Sequence, residues 1–256
     1  MTVQVLVAAM HQSNHLLLEK MNIQSDAIVG NQCDRNEIED FTWNGHRIKY
    51  LNFAERGVGL NRNNALMRAE GDICIFADDD MVYFDGYTQK VLAAFEKNPD
   101  ADVIVFNLKE PNKSRFVIEH VSRVRYYNYL RYGTARVAFR LKSIRDNGIY
   151  FNQCFGGGTE HCHGEDNLFL TDCLKNKLRI YAVPEFIAEL TEERESSWDR
   201  GYDDKYIKDQ GALYRTISRK WWKLLCFQDA LRKHKEYGRS FFSAYNTMKK
   251  GQRRAD

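Results

Sequence analysis

Glu70-Gly-Asp-Ile-Cys-Ile-Phe-Ala-Asp-Asp-Asp80 joins a short apolar run, Ile73 to Ala77, to three consecutive carboxylates. Five apolar residues in a row read as a buried strand, so the aspartates stand where that strand leaves the core. Side chains alternate along an extended chain, so Asp78 and Asp80 can converge while Asp79 turns aside. Hard divalent cations such as Mg²⁺ or Mn²⁺ favour oxygen donors of this kind, commonly one or two carboxylates together with substrate phosphates. That reading implies a diphosphate substrate; the other reading is an acidic triplet in a solvated turn.

Working outward, similar short runs recur at Val3 to Ala9, Ala27 to Gly30, Ile48 to Leu51, Val103 to Phe106 and Leu178 to Val183. Between several of them, Leu16 to Met21, Asn61 to Ala69 and Tyr87 to Lys97 have the spacing of crossover helices. The alternation predicts an α/β domain with a mostly parallel sheet. Ligands of such sheets bind beyond the carboxyl ends of strands. The segments to inspect are therefore Met10 and His11, Asn31 to Asp34, Asn52 to Arg56, and Asp78 to Asp80, all conspicuously polar.

Two glycine-containing loops add candidates. Glu55-Arg-Gly-Val-Gly-Leu-Asn61 precedes a helix that Asn61 is placed to cap, and Arg62 in its first turn can face an anion. Further on, Phe155-Gly-Gly-Gly-Thr-Glu-His-Cys-His-Gly-Glu-Asp166 runs into an apolar helix. Gly156, Gly157 and Gly158 let the backbone approach a ligand closely. Glu165 and Asp166 either complement the helix dipole or remove a proton from an attacking hydroxyl. Cys154, His161, Cys162 and His163 match no common structural-zinc spacing; a histidine there either completes the divalent-metal site or touches the acceptor.

The 256 residues include 38 Lys+Arg, 35 Asp+Glu, three prolines and 43% hydrophobic residues, which excludes a disordered or collagen-like chain. No apolar run reaches the roughly 18 residues of a membrane span, and no basic segment precedes Val3 to Ala9, so neither an anchor nor a signal peptide is expected. Six scattered cysteines suit a reducing, cytoplasmic setting better than a disulfide framework.

The near-neutral total conceals an asymmetry. Residues 215–256 hold twelve Lys+Arg and three Asp+Glu, a net of +9, leaving −6 for residues 1–214. From Thr216 onward the pattern is basic and helical, with Ile217, Trp221, Leu224, Leu225 and Leu231 on one stripe and Phe241, Tyr245 and Met248 on a later one. Such a tail either lies on an anionic membrane surface or packs its stripe on the rest of the chain or on a second subunit.

Taken in order, the opening strand, Asn61-Arg-Asn63, Ala69-Glu-Gly-Asp72, the Asp78–Asp80 triplet and Gly164-Glu-Asp166 resemble family-2, GT-A-type glycosyltransferases across about residues 1–215. The later Ser197-Trp-Asp-Arg-Gly-Tyr-Asp-Asp-Lys-Tyr206 is similar to the subgroup of bacterial capsule and exopolysaccharide clusters. The resemblance implies a Rossmann-like GT-A domain over 1–215 and a basic helical extension over 216–256. It implies a UDP-sugar donor, a saccharide or lipid-linked saccharide acceptor, and an Mn²⁺ or Mg²⁺ cofactor. It makes Asp166 the general base, with Glu165 orienting base or acceptor. Asp80 and Asp78 become the metal ligands, with His163 as a third. Ala9, Asp34, Arg62, Asp78, Asp79, Trp198 and Lys205 fall in the donor site, and Gly156 to Gly158 in the acceptor loop. Asn31-Gln-Cys-Asp34 departs from the acidic-Ser-Thr-Asp run usual there.

Two other classes compete. A metal-dependent nucleotidyltransferase or phosphohydrolase would also use Asp78 to Asp80. Nucleic-acid binding would use the basic, aromatic tail but leaves the acidic clusters unexplained, and their field repels phosphate, so no nucleic acid is expected as a partner.

Overall fold

The computed structural model describes residues 1–111, 116–191 and 201–251. Its strands are β1 (Val3–Met10), β2 (Asp26–Gln32), β3 (Glu37–Trp43), β4 (His46–Phe53), β5 (Ile73–Asp78), β6 (Met81–Tyr83), β7 (Val103–Lys109), β8 (Ser122–Val124), β9 (Val137–Arg140) and β10 (Ile180–Leu190). The α-helices are α1 (Leu17–Lys20), α2 (Val58–Arg68), α3 (Tyr87–Lys97), α4 (Leu141–Asp146), α5 (Glu165–Lys175), α6 (Asp204–Ile217), α7 (Trp222–Lys233) and α8 (Phe241–Lys250).

The strands form one sheet in the order β3-β4-β2-β1-β5-β9-β7-β10-β6, with β8 pairing β10. Alternation along the central strands feeds two cores. Val3, Val5, Val7 and Ala9 of β1 join Ile73, Ile75 and Ala77 of β5 in one hydrophobic layer, while Leu6, Cys74 and Phe76 enter the other. Half of the sheet follows the expected parallel pattern: β4, β2, β1 and β5 run parallel. The other half is mixed, because β9 enters antiparallel between β5 and β7, and β6 closes antiparallel on β10. β3 is a polar edge strand leading into the Asn44-Gly45 turn, whose two residues have φ of 48° and 84°, the left-handed pair that a tight hairpin requires.

An aromatic cluster ties the sheet to the region of the acidic groups. Phe76 of β5 lies 4.7 Å from Phe139, 5.0 Å from Phe151 and 5.3 Å from Phe169 of α5, centroid to centroid. Asp78 follows Phe76 by two residues and Asp166 precedes Phe169 by three. Packing these rings therefore sets the two carboxylate groups toward one another.

The expected division at 215/216 falls inside α6. That helix packs with α7 and α8 around Ile207, Tyr214, Cys226, Ala230, Tyr237, Ala244 and Met248, so the helical unit begins at α6. The two readings of the tail divide between two faces of this unit. Ile217, Leu225, Phe241, Tyr245 and Met248 pack inward, whereas Trp221, Leu224 and Leu231 are exposed.

Candidate active site

α2 presents an unusual run, Asn61-Arg-Asn-Asn64, buried throughout. Buried polar groups need partners, and these explain the helix's role. Asn63 exchanges hydrogen bonds with the backbone of Phe151 at 2.9 and 2.8 Å, and Asn64 donates to Glu55 at 2.7 Å. Arg62 reaches across to three carboxylates: Asp78 at 2.6 Å, Asp166 at 2.9 Å and Glu165 at 3.3 Å. Its guanidinium also lies over the Phe151 ring, 5.3 Å from the centroid. Burial opposes its charge, but Asp78, Asp166 and Glu165 overcome that cost and hold it protonated. The helix begins earlier than the sequence indicated. Gly57, with φ of 118°, is the N-cap, so Asn61 is a buried side chain against Gly30 and caps nothing.

Asp78, Glu165 and Asp166 line one cleft of about 570 Å³. Glu165 is nearly buried, and its carboxyl is pushed up to about 7, first by burial and then by the charge of Asp166, with Arg62 opposing. Asp166 is held at one oxygen: its Oδ1 accepts from Arg62 and from the Thr134 hydroxyl. Its Oδ2 takes no hydrogen bond from the described residues, and faces Gly133, where a Cβ would approach it to 3.1 Å. Thr134 is a site residue that the sequence did not reveal; an isolated threonine has no motif, and only the fold sets it beside Asp166.

The triple-glycine loop forms the wall behind Glu165. Gly157 lines the cleft and its carbonyl accepts from Val58 at the start of α2, at 3.0 Å. Gly156 has φ of 102°, and a Cβ there would come within 2.7 Å of the Glu165 carboxyl and 2.6 Å of Val58. Gly158, at φ of 82°, completes the turn.

The aspartate turn stands between this cleft and a second one of about 350 Å³, lined by His11, Gln12, Ser13, Cys33, Asp34, Arg35 and Arg56. Asp79 does not turn aside into solvent: its Oδ2 accepts from the Met10 backbone at 3.2 Å and from Gln12 at 3.5 Å, tying the turn to the end of β1. The Asp80 carbonyl accepts from the Thr191 backbone at 2.8 Å, anchoring the turn to the end of β10.

Several candidate residues lie elsewhere. The Ala9 side chain is buried in the core, and His11 to Ser13 hold the place by the second cleft. Lys205 is tied to Asp209 and to the Glu160 carbonyl, both at 2.6 Å, and does not line either cleft. Asp209 itself, despite burial, is held below the usual carboxylate range by His161, Lys205 and the Cys162 backbone, and so fastens α6 to the glycine loop. Trp198 lies outside the described residues.

His163 shares the first cleft with Asp78, but both ring nitrogens are engaged, with Gln210 at 2.8 Å and Cys162 at 3.2 Å, and the ring stacks on Tyr206. Burial pushes its pKa down. It does not join the aspartates as a third ligand, and among the described residues no three His, Cys, Asp or Glu side chains form a metal set. Asp78 lines the first cleft and is paired there with Arg62, whereas Asp80 lines neither of the two clefts.

No curated protein sequence matches the chain. Among solved structures, S. aureus TarS 1-349 in complex with UDP-GlcNAc is similar over 92% of this chain and 73% of its own, with a TM-score of 0.65 at 20% identity. The UDP complex of TarS 1-349 matches over 100% and 93%, with a TM-score of 0.62 at 18% identity. Against the longer S. aureus TarS chain this protein spans 56% of the length, with a TM-score of 0.63 at 18% identity. These likenesses establish the GT-A fold. Residues 33–155, which hold Asp34, Arg62 and the Asp78–Asp80 turn but end before Glu165, match the model of Glycosyl transferase family 2.

Proposed function

We propose that the protein is an inverting glycosyltransferase that moves a sugar from a UDP-sugar to a hydroxyl of a saccharide acceptor, lipid-linked and of the kind assembled into capsules or exopolysaccharides. One observation carries this reading. Arg62 joins Asp78, at the phosphate edge of β5, to Glu165 and Asp166 at the start of α5, within one cleft. On this reading, leaving-group and nucleophile chemistry face each other across a single space. The UDP-GlcNAc and UDP complexes of TarS lend support for the donor class.

In the reaction, Asp166 Oδ2 accepts the proton of the acceptor hydroxyl, whose oxygen bonds to the anomeric carbon. The bond from that carbon to the diphosphate oxygen breaks, and the nucleoside diphosphate leaves with the electron pair. Attack opposite the leaving group inverts the anomeric centre. Arg62 and Thr134 hold Asp166 in position through Oδ1. Such base assistance is worth about 10²- to 10⁴-fold. A divalent cation, Mn²⁺ or Mg²⁺, held by Asp80 and Asp78, would supply positive charge to the departing diphosphate. Asp34, which lines the second cleft, would approach the nucleobase. The free cysteines suit a cytoplasmic location.

The test is Asp166→Asn assayed with donor saturating. Turnover should fall by about 10²- to 10⁴-fold, while the thermal shift given by UDP with Mn²⁺ persists. Undiminished turnover would overturn the assignment. Donor hydrolysis that ignores added acceptor would favour a phosphohydrolase instead.

A further inference from the structure

Trp221, Leu224, Phe227 and Leu231 along α7 and Phe242 at the start of α8 are each between 44% and 72% exposed. They form a continuous row: Phe227 packs 5.2 Å from Phe241, which lies 5.1 Å from Phe242. Large apolar side chains gathered this way mark an interaction surface. Around them Lys220, Lys223, Arg232, Lys235, Lys249 and Lys250 are exposed, and none of the six makes an ion pair among the described residues. Asp229, the acidic residue within α7, is buried and bonded to Tyr237 at 2.8 Å; Glu236, next to Lys235, is exposed and Asp204 of α6 feels the charge of Lys250, so the cationic excess of the face rests on Lys220, Lys223, Arg232 and Lys249.

From this we infer that the exposed face of α7 and α8 docks on an anionic phospholipid surface, with Trp221, Leu224, Phe227, Leu231 and Phe242 entering the headgroup boundary. The charge decides the occupant. A second copy of the same face would bring a like charge, whereas an anionic leaflet complements it, and aromatic rings among lysines suit the interface between water and acyl chains. No described helix is long and apolar enough to cross a membrane, so the contact is peripheral. The face also adjoins the chemistry: Lys233, the last residue of α7, lines the cleft that holds Asp166. Docking on this face would bring that cleft close to acceptors embedded in the same leaflet. This purpose rests on the proposed transfer to a lipid-linked acceptor; the docking itself does not, and is measured without turnover.

The experiment is cosedimentation of the full chain with phosphatidylcholine vesicles, with and without phosphatidylglycerol. Binding is expected to the mixed vesicles, falling as salt is raised. The variant Trp221→Ser/Leu224→Ser/Phe242→Ser should bind at least about tenfold more weakly, with its circular dichroism and its turnover on a soluble acceptor unchanged. Lys220→Gln/Lys223→Gln/Lys235→Gln should weaken binding as well, and Asp166→Asn should bind as wild type does. Equal binding to neutral vesicles, no vesicle binding, full binding by the serine variant, or a serine variant that instead turns a dimer into a monomer would each overturn the inference. Loss of transfer activity with vesicle binding intact would fault the catalytic reading alone.

Discussion

The Arg62 guanidinium spans the two acidic groups of the cleft, donating from Nη1 to Asp166 Oδ1 at 2.9 Å and from Nη2 to Asp78 Oδ1 at 2.6 Å. A planar fork can hold two carboxylates at once, which an ammonium cannot do with the same geometry. Replacing Arg62 by Gln leaves Asp78, Glu165 and Asp166 facing one another without their shared cation. The expected loss of stability is about 3 kcal/mol, the lower end for a broken buried pair because Asp78 and Asp166 retain solvent contact. Urea denaturation at neutral pH measures it, and the loss should shrink on acidification as the carboxylates become protonated. Arg62→Lys should recover much of the stability and little of the activity.

Thr134 supplies a separable test. Thr134→Val keeps the shape of the side chain and removes one of the two donors to Asp166 Oδ1. A hydrogen bond to a charged group contributes about 1.5–3 kcal/mol, and here its purpose is to fix the carboxylate's direction. kcat should fall roughly tenfold or more with KM for the donor unchanged, and Thr134→Ser should restore it. A fall in donor affinity in place of kcat would show that Thr134 serves the nucleotide and not the base.

Much of this arrangement was legible because short apolar strands announce themselves and polar residues cluster at their ends. Asp78 to Asp80 stand out in this way, and Glu165-Asp166 stand out because a triple-glycine loop leads them into an apolar helix. What chain order could not show is that Arg62 stands within 3 Å of Asp166, 104 positions away, since only the packing of Phe76, Phe151 and Phe169 brings them together. The antiparallel entry of β9 between β5 and β7 was hidden for the same reason. β3, by contrast, had a readable signal in Asn44-Gly45, masked by the polar character of an edge strand. His163 and Lys205 drew attention as isolated chemistry-bearing residues; in the fold they are held by Gln210 and Asp209 of α6.

Glu165 gives the fold a pH dependence with a definite sign. Its carboxyl is raised from 4.5 to about 7 by burial and by Asp166, so between those values the folded protein keeps a proton that the unfolded chain has released. Stability from this group is full below 4.5 and is lost as pH rises through about 7. Glu165→Gln removes the titration. Subtracting its melting temperature from that of the wild type should give a difference that becomes steadily less favourable to the wild type from about pH 5 to pH 7.5. A difference independent of pH would mean that Arg62 holds Glu165 ionised throughout.

The helical unit tests whether the cleft wall depends on one glycine. A Cβ on Gly211 of α6 would lie 1.8 Å from the Met248 carbonyl of α8, so the two helices meet backbone to backbone at this point. Even Gly211→Ala must push α8 away, and with it the packing of Ala244 and Met248. Overpacking of this kind costs about 1–3 kcal/mol, and a clash against backbone belongs at the upper end. The consequence should reach the site, because Tyr206, Gln210 and Tyr214 on α6 line the cleft with Asp166 and Gln210 holds His163 at 2.8 Å. The donor contacts proposed for Asp34 and Asp78 stand by the carboxyl ends of β2 and β5. KM for the acceptor should therefore rise several-fold more than KM for the donor, and equal effects on the two would show that the helical unit does not form the acceptor wall.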